Sequence, residues 1–359
     1  MVKHSYSARV CAPSALRPEE ITAWQQLCAT GPTLASPFYT VHYARAVEAA
    51  GVRVNVCVIY RDQLPCAFLP FQFATARDRM LGVAEPVGGG MTDYFGLVAA
   101  AEVRIQPAQL LQLARLNYLG FSHLDESQLA LGLTGTEPRI GLRSDIVPSA
   151  PVFMSEIALR QKKYLNDATR LGRKLQEDVG PIHVELDRTV DRAAAMQQLI
   201  EEKRAQYQRT GAPDALAETW KLRLLHRLSE LRQDGCRGVL STLHAGDQWM
   251  ASHFGLMGNG VLQYWFPVYN PAFSKYAPGR LLNLALIKDC ATLGFSIFDR
   301  GEGESDDKRK LANAEHLYYR GAWHNRSLAS FSHRCLQSLS WRWQARRATS
   351  TDAAASNDR

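Results

Sequence analysis

Three consecutive strand-like runs in the second half of the chain constrain its fold most strongly. They read GVLSTLHA (238–245), WMASHFGLM (249–257) and VLQYWFPVY (261–269), separated by turns at Gly246-Asp247 and Gly258-Asn259-Gly260. Runs of β-branched and aromatic residues bounded by such turns predict an antiparallel meander. A helix pattern at 281–294 and one more short strand at 295–301 follow, so the order predicts an α+β or α/β layer. In such a layer the junction after residue 269 is the natural place for a ligand.

Helix and hairpin patterns fill the rest of the chain. Residues 18–51 predict two helices, residues 52–73 predict a hairpin, and residues 106–120 predict a helix that stops at Gly120. Prolines near residue 150 suggest a domain boundary. Beyond this boundary the patterns predict a basic helix at 158–180, a strand at 182–187, and two helical segments that stop at Gly211 and Gly235.

The composition is that of a folded protein with an anionic partner. The 359 residues suffice for two domains, and 46% hydrophobic with 21% charged residues excludes disordered and collagen-like chains. Lys and Arg number 42 against 35 Asp and Glu, and the resulting net charge of +7 favours anionic ligands or surfaces. DNA is a weaker candidate, because no helix-turn-helix or zinc pattern accompanies this charge.

The cysteines and the first residues of the chain bear on its compartment. The seven cysteines show neither a CxxC pair nor zinc-ligand spacing, so we predict reduced thiols and no metal site. The chain starts without the apolar stretch of a secretory signal, and polar residues or glycines interrupt every apolar run before membrane-spanning length. These features predict a cytoplasmic protein, either soluble or peripheral at the inner membrane.

The segment after the meander has the pattern of an anion-binding loop. An aromatic strand end leads through Lys275, Pro278, Gly279 and Arg280 into an apolar helix. Backbone N–H groups at a helix N-terminus bind phosphate groups, and a glycine there permits close approach. An ordinary Pro-Gly turn is the alternative interpretation.

Several of these motifs together resemble a known enzyme family. The motifs are SPF at 36–38, the meander with MASHFGL and LQYWFPVYNPAFSKYAPGRLL, and the ending FDRGEGESDDKRKLA. They are similar to GNAT-type acyltransferases of bacterial cellulose and exopolysaccharide synthesis (the CelD/BcsL family), which in turn resemble the Fem peptidyltransferases. Two departures are the strand Phe298-Asp299-Arg300-Gly301 and Asp307-Lys308, where the family usually has Asp-Phe-Gly and Tyr-Lys.

The resemblance implies a fold and an activity. The fold is α/β (α+β), with two GNAT-like domains in tandem (1–152 and 153–326) and a basic amphipathic helix and tail at 327–359. The implied activity is N-acyl transfer, most simply N-acetyl transfer, from acetyl-CoA or a longer acyl-CoA. The implied acceptor is the amine of an amino sugar, nucleotide sugar or lipid-linked glycan in polysaccharide synthesis.

The resemblance also implies which residues form the site. The residues that would bind the CoA pyrophosphate are Lys275, Tyr276, Ala277, Pro278, Gly279, Arg280 and Leu281. The candidate bases, acting through water, are Asp299, Glu302 and His253, and Tyr264 is a candidate acid or orienting group. The candidate acceptor contacts are Lys308, Tyr269, Asp93 and Tyr94. Ordinary structural roles remain the alternative: Asp299 would cap a turn, and His253 would be a hydrogen-bonded strand residue.

Two basic segments leave the wider function open. One is the helix at 160–174, and the other is the arginine-rich stretch from His316 to Ser350, part of which has a helical apolar stripe. They could clamp phosphates, lie on an anionic membrane or contact a polysaccharide synthase, or they could simply face solvent. Two rival functions stay open: a Fem-like transferase that uses aminoacyl-tRNA, and a non-catalytic GNAT scaffold.

Overall fold

A computed structural model of the protein describes residues 6–327. The predicted basic helix and its apolar stripe, from Leu328 onward, therefore lie outside the described residues. Within them the chain forms fourteen strands and eleven α-helices. The strands are β1 (Tyr6–Cys11), β2 (Val54–Arg61), β3 (Leu64–Gln72), β4 (Val83–Ala84), β5 (Val98–Ala99), β6 (Tyr118–Asp125), β7 (Glu137–Asp145), β8 (Ile182–Glu185), β9 (Arg232–Gln233), β10 (Cys236–Ala245), β11 (Gln248–Gly258), β12 (Val261–Tyr269), β13 (Ile297–Glu302) and β14 (Ala314–His324). The helices are α1 (Pro18–Thr30), α2 (Val41–Ala49), α3 (Ala76–Leu81), α4 (Pro107–Ala114), α5 (Ala150–Arg160), α6 (Lys162–Asp178), α7 (Arg192–Thr210), α8 (Thr219–Glu230), α9 (Pro278–Lys288), α10 (Cys290–Leu293) and α11 (Asp306–Leu311).

The two halves of the chain repeat one order of elements. With α3, β5, α5, α6, β9, α10 and α11 left aside, the first half runs β1, α1, α2, β2, β3, β4, α4, β6, β7. The second half runs β8, α7, α8, β10, β11, β12, α9, β13, β14. In each half a helix joins two parallel strands, β4 to β6 and β12 to β13. The predicted mixed α/β class with two similar halves is therefore confirmed.

The last strand of each half lies beside the other half. A ten-stranded sheet has the order β4-β6-β14-β7-β13-β12-β11-β10-β8, and its tenth strand, β9, pairs with β10 beside this path. In this order β14 inserts between β6 and β7, and β7 pairs with β13. A second sheet has the order β1-β2-β3-β5. Because the large sheet is continuous across both halves, residues far apart in sequence meet at its centre. The predicted boundary near residue 150 falls at the start of α5 and stays a prediction.

The predicted hairpin and meander are both present. The β2–β3 turn has Asp62 and Gln63 at φ of 52° and 66°, as a two-residue hairpin turn with the twist of its strands requires. In the meander, β11 pairs antiparallel with β10 and with β12. The pairing of β11 with β12 shifts register between Phe254 and Leu256, where Gly255 forms a bulge.

Several element predictions were wrong in detail. The helix predicted to reach Gly120 ends at Ala114, because Arg115 takes a left-handed φ of 56° and the chain enters β6 at Tyr118. The single helix predicted at 158–180 is two helices, α5 and α6, separated at Gln161. Residues 316–324 belong to the central strand β14 rather than to a basic tail. Among residues 6–327, no helix combines the length and apolar character needed to cross a membrane.

We predict that replacing Gly255 by alanine destabilises the meander. An added Cβ would lie 2.1 Å from the backbone oxygen of Gln263, so β11 and β12 would have to separate. We expect the free energy of unfolding to fall by about 2–3 kcal/mol in urea denaturation, as for other overpacked sites. Gly90→Ala is the matched control, because an added Cβ there meets no described atom within 4 Å. Equal urea midpoints for Gly255→Ala and the wild type would show that the close approach is absent.

Candidate active site

The parallel strands β12 and β13 separate at the centre of the large sheet. They pair only from Val261–Ile297 to Gln263–Asp299. Beyond this point β12 continues along β11, whereas Glu302 of β13 pairs with Gly141 of β7. The strands therefore diverge toward their carboxyl ends, and backbone groups along this opening are available to a ligand.

The predicted cradle lies at the carboxyl end of β12. Ala277 adopts a left-handed φ of 52°, and α9 begins at Pro278. Gly279 is in the first turn, where backbone N–H groups have no acceptor within the helix. A Cβ added to Gly279 would meet no atom of the described residues within 4 Å. This open surface at a helix N-terminus fits an anionic group such as a pyrophosphate.

Basic side chains surround this helix start. Lys275 Nζ lies 4.8 Å from the centre of the Tyr276 ring, and the Tyr276 hydroxyl donates to Asp178 Oδ2 at 2.6 Å. The Arg280 guanidinium lies 4.3 Å from the centre of the Tyr164 ring.

Two arginines near Tyr164, Arg280 and Arg300, each have a buried Nε atom that lacks an acceptor among the described residues. The Tyr164 hydroxyl donates to Asp307, and Arg300 also donates to Asp307, at 2.8 Å. Within residues 6–327, the buried Nε atoms of Arg280 and Arg300 have no hydrogen-bond partner. Unsatisfied buried cationic donors are complementary to phosphate oxygens, so the set fits the predicted cofactor-binding role.

The predicted catalytic residues fall on two faces of the sheet. Leu262, Tyr264 and Phe298 pack into the core beneath α9. Because side chains alternate along a strand, Gln263 and Asp299 point to the opposite face, toward the first half of the chain. The structure therefore separates His253 and Tyr264, which share the α9 face, from Asp299 and Glu302.

His253 and Tyr264 form an uncharged stack. Their ring centres lie 4.1 Å apart, and Tyr264 also contacts Phe298 at 5.0 Å. His253 is fully buried, and neither of its ring nitrogens has a hydrogen-bond partner among the described residues. Burial lowers the pKa of His253 to about 3 and raises the pKa of Tyr264. The imidazole is therefore neutral and weakly basic, so we do not retain His253 as a base.

On the other face Asp299 is held by two donors. Its Oδ2 accepts a short hydrogen bond from the Tyr94 hydroxyl, and its Oδ1 accepts from the Gly301 N–H at 2.7 Å. Tyr94 comes from the first half of the chain, so this contact joins the halves. The predicted residues Asp93, Tyr94 and Asp299 are thus brought together.

Five of the predicted residues surround Gly301; we call Asp93, Tyr94, Asp299, Glu302 and Lys308 the Gly301 cluster. A Cβ on Gly301 would lie 3.2 Å from Asp93 Oδ2, and Lys308 Nζ donates to the Glu302 carbonyl at 2.7 Å. Burial, with the Asp299 carboxylate nearby, raises the pKa of Asp93 to about 7. Burial, with Arg300 nearby, lowers the pKa of Lys308. Tyr269 lies outside the cluster, at the exposed end of β12.

Sequence reasoning missed the partners that β6, β7 and β14 supply. Glu302 pairs with His123 at 3.1 Å and with Arg139. The rings of His316 and Tyr318 on β14 pack against Tyr94. His316 and Tyr318 alternate with Leu317 in the sequence, and this period-two pattern was the signal that could have identified the strand.

A cavity of about 310 Å³ opens on the face that carries Asp299. We call it the interlobe cavity, because both halves of the chain line it. Its polar lining residues include Ser36, Tyr94, Asp125, Arg143, Asp299 and His316. His316 Nε2 lies 2.8 Å from Asp125 Oδ2, and this carboxylate raises the His316 pKa against the opposing effect of burial.

Comparison with known proteins identifies the fold of the second half. Residues 162–309 match the model of the acetyltransferase (GNAT) domain family. No curated protein matches the chain.

Solved structures with similar folds cover most of the chain. FemX superposes with a TM-score of 0.56 at 10% identity, covering 84% of this chain and 94% of FemX. The C-terminal domain of a putative lysylphosphatidylglycerol synthetase from Agrobacterium fabrum has a TM-score of 0.52 at 11% identity, covering 89% and 96%. L-PGS from Bacillus licheniformis has a TM-score of 0.52 at 10% identity, covering 90% and 96%. At these identities the likeness is one of fold. The match of residues 162–309 to a GNAT acetyltransferase domain, within a mixed α/β fold, supports an acyltransferase.

Proposed function

We propose that this protein transfers an acyl group, most simply acetyl, from acyl-CoA to the amine of a sugar intermediate in bacterial surface-polysaccharide synthesis. The observation that carries the proposal is the divergence of β12 and β13 after Gln263 and Asp299. Because of this divergence, a donor on the α9 face and an acceptor on the Asp299 face can meet at one point of the sheet.

The start of α9 would bind the donor. Acyl-CoA, when bound, supplies a thioester carbon already activated for attack. Gly279 leaves room for the pyrophosphate, and Lys275 and Arg280 add positive charge beside it. The thioester would lie between the diverging strands, where backbone N–H groups can polarise its carbonyl.

The Gly301 cluster would accept the proton that the acceptor amine loses. The amine nitrogen attacks the thioester carbon, the new C–N bond forms as the C–S bond breaks, and the leaving thiolate takes up a proton. Asp93, next to Gly301, is the base that we propose, because its pKa of about 7 lets it accept a proton at neutral pH. Asp299 would act by positioning Tyr94 and Gly301. Free thiols have a pKa of about 8.5, so the leaving thiolate needs only a weak acid.

The choice of acceptor rests on the family resemblance. The motifs of residues 36–38, 251–282 and 298–312 resemble those of acyltransferases of cellulose and exopolysaccharide synthesis, the CelD/BcsL family. A nucleotide-linked or lipid-linked amino sugar fits the positive net charge of the chain. A cytoplasmic location, with contact to a membrane surface or a polysaccharide synthase, belongs to the same proposal.

Thiol release from acetyl-CoA, in the presence of an amino-sugar panel, tests the proposed function. We expect one CoA thiol for each N-acetylated product seen by mass spectrometry. If no amino sugar is acetylated and acetyl-CoA leaves the melting temperature unchanged, the donor and the reaction are both wrong. A scaffold without catalysis would then be the better account.

A second candidate donor is an aminoacyl-tRNA. Five exposed cations on α6 favour it: Lys162, Lys163, Arg170, Arg173 and Lys174. With this donor, activity in a lysate would be lost on ribonuclease treatment, and added acetyl-CoA would not restore it. Activity with purified acetyl-CoA that survives ribonuclease would exclude this candidate.

A further inference from the structure

Two fully or almost fully buried side chains beside Asp299 have polar atoms without partners. Gln263 is 0% exposed and Ser36 is 5% exposed. Across the described part of the chain, neither amide atom of Gln263 nor the Ser36 hydroxyl has a hydrogen-bond partner. Buried polar groups in folded proteins are normally paired, because leaving them unpaired costs stability. These atoms are therefore candidates for contacts with a ligand.

Ser36 lies at the interlobe cavity, and Gln263 lies directly behind its wall, next to the lining residue Asp299. Ser36 lines it directly, as do Val261 and Asp299. Gln263 is two residues after Val261 on the same strand face, and it is the register partner of Asp299. The Gln263 amide also approaches Gly301, since a Cβ there would lie 3.9 Å from Gln263 Nε2. The cavity thus runs from Ser36 to Tyr94 and Asp299, the two members of the Gly301 cluster that line it.

The charges of the cavity wall favour a cationic, hydroxylated ligand. Three carboxylates line it: Asp125, Glu126 and Asp299. The two cationic groups of the wall face carboxylates, Arg143 facing Asp145 and His316 facing both Asp125 and Glu126. Among the described residues, Asp299 is the wall carboxylate that has no ion pair. A serine hydroxyl and a glutamine amide each donate and accept hydrogen bonds, as sugar hydroxyls require. The volume of about 310 Å³ is at the lower end of the range for small-molecule sites.

We propose that the interlobe cavity binds the amino-sugar ring of the acceptor, with the amine at the Asp299–Gln263 end and a ring hydroxyl at Ser36. This inference rests on the proposed function and names the acceptor site for it. The acceptor would reach the diverging strands from the first-half face, opposite to the donor. Specificity would arise because Gln263 and Ser36 both need hydrogen-bond partners. Only a ligand with both an amine and hydroxyl groups would supply all of them.

Paired variants test this site through stability without turnover. Gln263→Met and Ser36→Ala remove unpartnered polar atoms, so we expect melting temperatures equal to or above that of the wild type. The matched controls are Gln128→Met and Ser144→Ala. Gln128 is buried and pairs with the Leu97 N–H at 2.8 Å, and buried Ser144 donates to the Leu311 carbonyl at 2.8 Å. Because the controls lose satisfied hydrogen bonds, we expect them to melt at lower temperatures.

Ligand protection then identifies what the cavity binds. D-glucosamine should raise the melting temperature of the wild type and of both controls, and D-glucose and cyclohexylamine should do so less. Gln263→Met and Ser36→Ala should lose the glucosamine shift and at least tenfold in kcat/KM for the acceptor.

Three results would overturn the proposed site. The first is that the melting temperatures of Gln263→Met and Ser36→Ala fall as much as those of the controls. The second is that glucosamine leaves the melting temperature of the wild type unchanged. The third is that glucosamine raises the melting temperature equally in all variants. Acetyl-CoA protection is measured separately. Its absence, alongside the expected glucosamine pattern, would refute the donor assignment and leave the cavity assignment standing.

Discussion

Replacing Asp93 by asparagine is expected to lower kcat/KM for acyl transfer by about 10²- to 10⁴-fold, the usual contribution of a general base. The wild-type rate should rise with pH through a midpoint near 7, where the Asp93 carboxyl loses its proton. Asparagine cannot accept the proton, so the variant should lack this step in its pH profile. Steady-state rates between pH 5 and 9 provide the measurement.

A substitution of the neighbouring residue Asp299 tests whether the pH profile reports the titration of Asp93. The Asp299 charge raises the pKa of Asp93, so Asp299→Asn should move the midpoint of the pH profile to lower pH. A midpoint that stays in place in Asp299→Asn, or persists in Asp93→Asn, would assign the titration to another group.

The Asp93→Asn substitution should also change the stability of the protein in a pH-dependent way. The pKa of Asp93 rises from 3.8 to about 7 on folding, so the folded state holds this proton more tightly than the unfolded state. Wild-type stability from this group therefore falls as pH rises between those values. The asparagine side chain stays neutral throughout, so Asp93→Asn should melt above the wild type at pH 8 and show no such gain at pH 4. A lower melting temperature at pH 8 would contradict this account.

Replacing Gly279 by aspartate is expected to weaken acetyl-CoA binding by at least about 100-fold, or ~2.7 kcal/mol. The new carboxylate would occupy the open space in the first turn of α9 and repel the pyrophosphate. The fold should tolerate it, because an acid at a helix N-terminus stabilises the helix by about 0.3–1 kcal/mol. Calorimetric titration with acetyl-CoA measures the affinity, and thermal unfolding checks the fold.

Ala76→Asp is the matched control for charge. It places the same acid in the exposed first turn of α3, in the first half of the chain. We expect wild-type affinity for acetyl-CoA in this variant. If Gly279→Asp also binds acetyl-CoA normally, the pyrophosphate does not rest at the start of α9.

Local sequence patterns were sufficient to predict the elements that carry the proposed donor site. Glycine turns and aromatic strands predicted the meander, and the Pro278-Gly279 pair marked the start of α9. These features follow from propensity and turn chemistry within a few residues. The same reasoning missed β7 and β14, because their neighbours in the sheet lie up to about two hundred residues away, beyond the reach of local patterns.

The proposed acceptor site depends on those missed strands. Tyr94 and Asp299 were predicted as site residues from the resemblance, but only the exchange of β7 and β14 explains why they meet. His253 was predicted as a base, but its position in a strand could not show that its ring is buried. Nor could it show that the ring lacks hydrogen-bond partners among the described residues. Gln263 carried no sequence signal, because its unpaired amide becomes visible only in the packed sheet.

The structure of the protein crystallised with CoA tests the central claim most directly. The account predicts a pyrophosphate oxygen within hydrogen-bond distance of the Gly279 N–H, and the CoA thiol between β12 and β13 just beyond Gln263 and Asp299. CoA bound elsewhere, or with its thiol away from the diverging strands, would contradict it.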